Sequence, residues 1–190
     1  MAEQAEDLVV ADVEAWRAWL ADNVDLQPGV WLVLAKKGTT SPTSLTYQQA
    51  LEEALCQGWI DGQTRRFDDA TYRQRFTPRR KRSLWSQRNV GIVARLVEEG
   101  RMQPNGLAEV ARAKADGRWD AAYAGPATIE MPDDLAAALA AEPAAQRFYD
   151  SLGKQGRFAV MARVTTALTP ETRARRIERL VAGLAAGKAP

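Results

Sequence analysis

The sequence contains no histidine and only one cysteine, Cys56. Without histidine the commonest general base, the commonest metal ligand and the usual switch near neutral pH are missing. Ser-His-Asp and Cys-His catalysis are therefore closed within one chain. A lone cysteine makes no intramolecular disulfide and no zinc site built on several thiolates, which suits a reducing compartment better than a secreted disulfide scaffold. Long apolar runs are also missing, with nothing near the roughly 18 residues that would cross a bilayer. The first ten residues carry Glu3, Glu6 and Asp7 and lack the basic start and apolar stretch of a signal peptide. No phosphate-cradling glycine loop, Gly-x-Ser-x-Gly elbow or EF-hand loop is present. The expectation is a cytoplasmic protein with no cofactor and no metal.

What is present is globular: 190 residues, 46% hydrophobic and 26% charged, enough for one substantial domain or a core with a helical extension. The net charge of +2 is unevenly spread. Residues 1–30 hold seven acids and one base, whereas residues 65–88 hold nine bases and two acids. Such a basic block either meets an anionic partner or is a solvated face.

Helical spacing of Val13, Trp16, Trp19 and Leu20 behind Asp12 predicts a helix over 12–22. The run Val30-Trp31-Leu32-Val33-Leu34 between Gly29 and Gly38 predicts a buried strand over 30–37. Thr46 and Gln49 form a capping box ahead of a helix that ends at Gly58. Segments 59–67 and 71–77, separated by Asp68-Asp69-Ala70, predict a hairpin in which Tyr72 and Phe76 face one way and Arg73 and Arg75 the other. From Ser86 onward the pattern is helical: a helix through Val93 and Leu96, one from Pro104 to Gly117, and four more between Pro132 and Ala186. The fold class is α+β: a small antiparallel sheet with helices, followed by an all-helical C-terminal segment. Residues 1–120 form the core domain, and residues 132–190 form a helical segment docked on it. Ala121 to Met131, with Gly125 and Pro126, reads as the linker.

Two places invite chemistry. Asp61 follows Trp59 and Ile60 on a half-buried strand and needs a partner, either Arg73, Arg75 or Arg79 or backbone N–H groups of the neighbouring hairpin. Between residues 79 and 89, Arg79, Arg80, Arg82, Ser83, Trp85, Ser86 and Asn89 crowd together. Guanidinium forks, hydroxyls, an amide, an indole face and a helix N-terminus there suit an exposed anion-binding site. Its simpler alternative is a capped helix with a packed Trp85. Cys56 reads as a small core residue, and Trp16, Trp19, Trp31 and Trp59 read mostly as core anchors.

The chain resembles the YdeI or OmpD-associated family, also called OmdA or bacteriocin-protection. The resemblance rests on Val30-Trp31-Leu32, Ala54-Leu55-Cys56-Gln57-Gly58-Trp59-Ile60-Asp61-Gly62, Arg75-Phe76-Thr77-Pro78-Arg79-Arg80 and Ser83-Leu84-Trp85-Ser86-Gln87-Arg88-Asn89. Gly100-Arg101-Met102, Asp116 to Tyr123 and Thr172-Arg173-Ala174-Arg175-Arg176-Ile177 extend it along nearly the whole chain. It implies an α+β part followed by the helical segment that gives the family its name, and it implies a label of tolerance to cationic antimicrobial peptides. A basic patch would repel such a peptide.

Three functions compete. The first is a binding or stress-tolerance protein holding a small anionic ligand or an acidic protein segment. The second is an enzyme using Asp61 with Arg, Ser and Asn groups, which lacks a base of neutral pKa. Weak nucleic-acid binding by the basic hairpin comes last, because Tyr72 and Phe76 should face the core rather than stack on bases.

Overall fold

In the computed structural model, which describes residues 7–189, the chain divides into two units. One comprises residues 7–83 with Gly91–Arg112, and the other comprises Leu84–Val90 with residues 113–189. In the first, β1 (Asp7–Leu8) pairs in parallel with β2 (Val30–Ala35). The hairpin β3 (Trp59–Arg66) and β4 (Thr71–Pro78) joins through an antiparallel β2–β4 pairing, giving the order β1-β2-β4-β3. The three long strands lie where the sequence places them. The sheet is mixed rather than antiparallel, because two residues of β1 carry no readable alternation.

Helix α1 (Val13–Asp22) starts at Asp12, whose carboxylate accepts the Ala15 N–H at 2.9 Å. Helix α2 (Tyr47–Cys56) starts at the predicted Thr46/Gln49 capping box; each cap contributes about 1 kcal/mol. The apolar faces of these helices and of the sheet bury Trp16, Leu20, Leu51, Leu55, Trp59 and Phe76 almost completely. Trp16 stacks on Trp19 with centroids 5.3 Å apart and meets Trp59 edge-on at 6.4 Å. Both buried indoles keep a hydrogen bond, Trp16 Nε1 donating to Ala50 O at 3.1 Å and Trp59 Nε1 to Val24 O at 2.8 Å, as buried tryptophan requires.

Trp31 departs from the core reading. It pairs with Arg75 across β2–β4, so strand alternation turns it away from Phe76 and onto the basic face. Arg65 lies 4.4 Å and Arg75 5.7 Å from its ring.

Helices α3 (Gln87–Glu98) and α4 (Pro104–Ala115) follow. The start of α4 approaches the end of α2 so closely that a Cβ on Gly106 would lie 2.2 Å from the Cys56 carbonyl oxygen. Only glycine permits that approach.

An ion-pair network ties α1, α2 and the end of α3 together. Glu53, 3% exposed, accepts from Arg17 at 2.8 and 2.9 Å and from Arg101 at 2.6 Å. Glu52 accepts from Arg95 and Arg101, and Glu99 from the same two arginines. Burial alone would raise the Glu53 carboxyl; hydrogen bonds from Arg17 and Arg101 outweigh it and hold Glu53 below the ordinary carboxylate range. Burial likewise opposes the charge on Arg101, and the surrounding carboxylates reverse it, so its pKa is raised.

The second unit is helical from α5 (Asp133–Ala140) through α6 (Pro143–Ser151) and α7 (Lys154–Thr165) to α8 (Pro170–Ala185). Their apolar stripes meet in one core of Leu135, Leu139, Tyr149, Val160, Val164 and Leu184, among others. Asp134 on α5 takes a two-pronged contact from Arg173 on α8, at 2.6 and 2.8 Å. Within the predicted linker, Tyr123 is bound on both sides: its N–H donates to Trp85 O at 3.0 Å, and its carbonyl accepts from Gln87 N at 2.9 Å.

Candidate functional site

Asp61 is half-buried and accepts the Tyr47 hydroxyl at 2.8 Å, which corrects the expected arginine or backbone partner. The register is the cause. Asp61 stands opposite Phe76, and residues directly opposite in a sheet share a face. Asp61 therefore looks toward α2, while Arg73 and Arg75 project from the other side. Those arginines have local partners: Arg73 grips Asp7 at 2.9 and 3.1 Å, and Arg75 donates to Pro28 O at 2.7 Å. Burial and neighbouring Arg65 lower the Arg75 pKa.

The other expected site residues fall into the two units. In the first, Arg79 is 6% exposed, with its N–H on Gly58 O at 3.0 Å. Arg80 and Arg82 are exposed, and the Ser83 hydroxyl accepts the Arg80 N–H at 2.9 Å, closing a turn. In the second, Ser86 caps α3 by accepting the Asn89 N–H at 3.2 Å. Trp85 is 2% exposed, with its ring centroid 4.8 Å from that of Trp119, and Asn89 is 6% exposed. The exposed indole face expected at Trp85 is thus absent, because the second aromatic comes from Trp119, 34 residues further along. Cys56 is buried; burial, with Glu53 close by, pushes its thiol up to about 11, far from a nucleophile at neutral pH.

The helical unit holds a groove that these motifs do not mark. About 500 Å³ in volume, it is lined by Leu84, Leu180 and Leu184 and rimmed by Arg163, Arg176, Arg179 and Lys188. Among the described residues its lining contains four cations and no acidic side chain. Helical spacing brings Arg176, Arg179, Leu180, Gly183 and Leu184 to one side of α8. The end of α8 delivers Lys188: Gly187 takes φ +69°, Lys188 N–H reaches Gly183 O and Gly187 N–H reaches Leu184 O, both at 2.9 Å. That is the Schellman arrangement, which folds the chain back at a helix end.

The four cations are not equivalent. Arg176 Nη1 donates to Arg163 O at 2.7 Å and Thr166 Oγ1 at 3.1 Å, at the C-terminal end of α7, where a cation offsets the helix dipole. The side chains of Arg163, Arg179 and Lys188 have no hydrogen-bond or ion-pair partner among the described residues. Gly183 lies on the floor, where an added Cβ would meet only Lys188 O, at 3.9 Å. The sequence signal for this groove was the repeat of arginine beside the Ile177, Leu180 and Leu184 stripe. Read as a stripe alone, it reveals only core.

These features define a protein of two parts, a mixed sheet packed with helices and a four-helix unit carrying a basic groove. The chain belongs to the family described as a domain of unknown function, DUF8412, whose model matches residues 8–109. Residues 128–187 match the family described as bacteriocin-protection, YdeI or OmpD-associated. The resemblance drawn from the sequence therefore holds over the helical part, and a separate family model covers the sheet part. No curated protein and no solved structure matches the chain. Among the described residues, no helix is long and apolar enough to cross a membrane, and no group of three or more Asp, Glu or Cys side chains is placed to hold a metal ion.

Proposed function

We propose that the protein binds a small anionic amphiphile, with an acyl chain or similar apolar body on Leu84 and Leu180 and its carboxylate or phosphate at Arg163, Arg179 and Lys188. The observation that carries this reading is the groove itself: an apolar floor under cations, with no acidic residue among the described residues of the lining. Ligand sites commonly join an apolar pocket to a few convergent polar groups, and guanidinium forks fit carboxylate and phosphate. A cationic peptide, suggested by the bacteriocin-protection description, would meet repulsion here.

Catalysis gains no comparable support. Among the described residues the groove lining has no acidic side chain and no thiol, and Asp61 is engaged by Tyr47. Nucleic-acid binding gains none from the hairpin, where guanidinium groups already cover the Trp31 and Phe67 rings.

Calorimetric titration with laurate, acetate and dodecyltrimethylammonium tests the reading. Laurate is expected to bind, more weakly as salt rises, because exposed charges are screened over about 8 Å at physiological ionic strength. Acetate, which lacks the apolar body, and the cationic amphiphile are expected not to bind. Equal binding of the cationic amphiphile would overturn the proposal.

A further inference from the structure

We infer a second, independent binding site in the sheet-containing unit, a polar cleft that takes a small zwitterion of the free α-amino acid type. The cleft has a volume of about 280 Å³. It lies where the end of α2, the exit of β4 and α4 converge, and two glycines create it. Gly106 lets α4 reach the Cys56 carbonyl, and Gly58, at φ +78°, turns the chain between α2 and β3. A Cβ on Gly58 would lie 3.1 Å from both Asn105 O and Glu109 Cγ.

The charged lining is balanced in sign: Arg79 and Arg112 against Asp25 and Glu109, with Gln57 and Asn105 as neutral partners. Two of the four are buried, Arg79 at 6% and Glu109 at 9% exposure. Glu109 Oε1 pairs with Arg112 at 2.8 Å, whereas Glu109 Oε2 is buried and has no hydrogen-bond partner among the described residues. Buried carboxylate oxygens are rarely left so, because the lost hydration is costly. A ligand ammonium at Oε2 supplies the missing donor. A ligand carboxylate then suits the exposed Arg112 guanidinium beside Glu109. A single-sign ligand would satisfy one pair and face repulsion from the other, so the cleft selects a molecule bearing both charges at short separation.

Melting curves of the full chain provide the test, with the free α-amino acids as probes and succinate, 1,4-diaminobutane and glycerol as single-sign and neutral controls. At least one amino acid is expected to raise the melting temperature by about 3–6 °C at a concentration about ten times its Kd, with the controls silent. Glu109→Gln, which keeps the side-chain shape, should abolish the rise. Ala108→Trp, which blocks the cleft from an exposed position on α4, should do the same with Glu109 intact. Gly183→Phe, in the other unit, should leave the rise unchanged. No response to any amino acid overturns the assignment, as does a larger response to a control or an undiminished rise in both cleft variants.

Discussion

Arginines do opposite work in the two units. Around Glu52 and Glu53, Arg17, Arg95 and Arg101 are each committed to a carboxylate, and the cluster joins helices. Around the α8 groove, Arg163, Arg179 and Lys188 have no acid opposite them among the described residues. Cations matched inside the fold contribute to its stability, whereas the unmatched cations over an apolar floor are the ones we propose pair with an anionic ligand. The residue type alone does not separate the two uses; the count of opposed carboxylates does.

The largest effect should come from the matched side. Glu53→Ala removes the buried acceptor of Arg17 and one of the three carboxylates that hold Arg101. Breaking a buried pair costs about 3–5 kcal/mol, and because Arg17 is half in water and Arg101 keeps Glu52 and Glu99, the expected loss is about 1–3 kcal/mol in urea unfolding. A midpoint equal to that of wild type would remove the network from the account. Acid probes the same cluster without mutation. Glu53, Glu52 and Glu99 all have lowered pKa values, so the unfolded chain binds their protons more readily than the folded one. Their stabilisation is present above the unfolded carboxyl value of about 4.3 and is lost as pH falls through the lower folded values. Unfolding at fixed urea should therefore steepen below about pH 4, and this slope should flatten in Glu53→Ala.

On the unmatched side, changes in stability should be small. Gly183 is helical and has space for a methyl group, so Gly183→Ala should stabilise by about 0.5–1 kcal/mol. Arg163→Gln combined with Arg179→Gln should move stability by no more than about 0.5 kcal/mol. A larger loss would mean that these arginines support the fold after all, and the contrast between the two units would collapse.

Helix starts were legible where their signals are local: Asp12 and the Thr46/Gln49 box each sit within one turn of the element they start. What sequence could not supply was pairing across distance. Trp31 and Trp85 exchanged expected roles, since the register of β2 against β4 puts the first among arginines and distant Trp119 buries the second. Asp61 was recognised as a carboxylate needing a partner, but only the hairpin register decides that the partner is Tyr47 on α2. Of the residues expected to bind an anion, Arg79, Trp85 and Asn89 are buried. The charge density along residues 79–89 was real, but linear density does not reveal which heads reach one cavity.

The proposal that unmatched cations over Leu84 and Leu180 hold an anion is tested most directly by an amide NMR titration with laurate of wild type and of Arg163→Gln with Arg179→Gln. The account predicts wild-type shifts concentrated at residues 163–166 and 176–188, with affinity lowered at least about tenfold in the variant, a change of about 1.4 kcal/mol. Shifts centred elsewhere, or unchanged affinity in the variant, would contradict it.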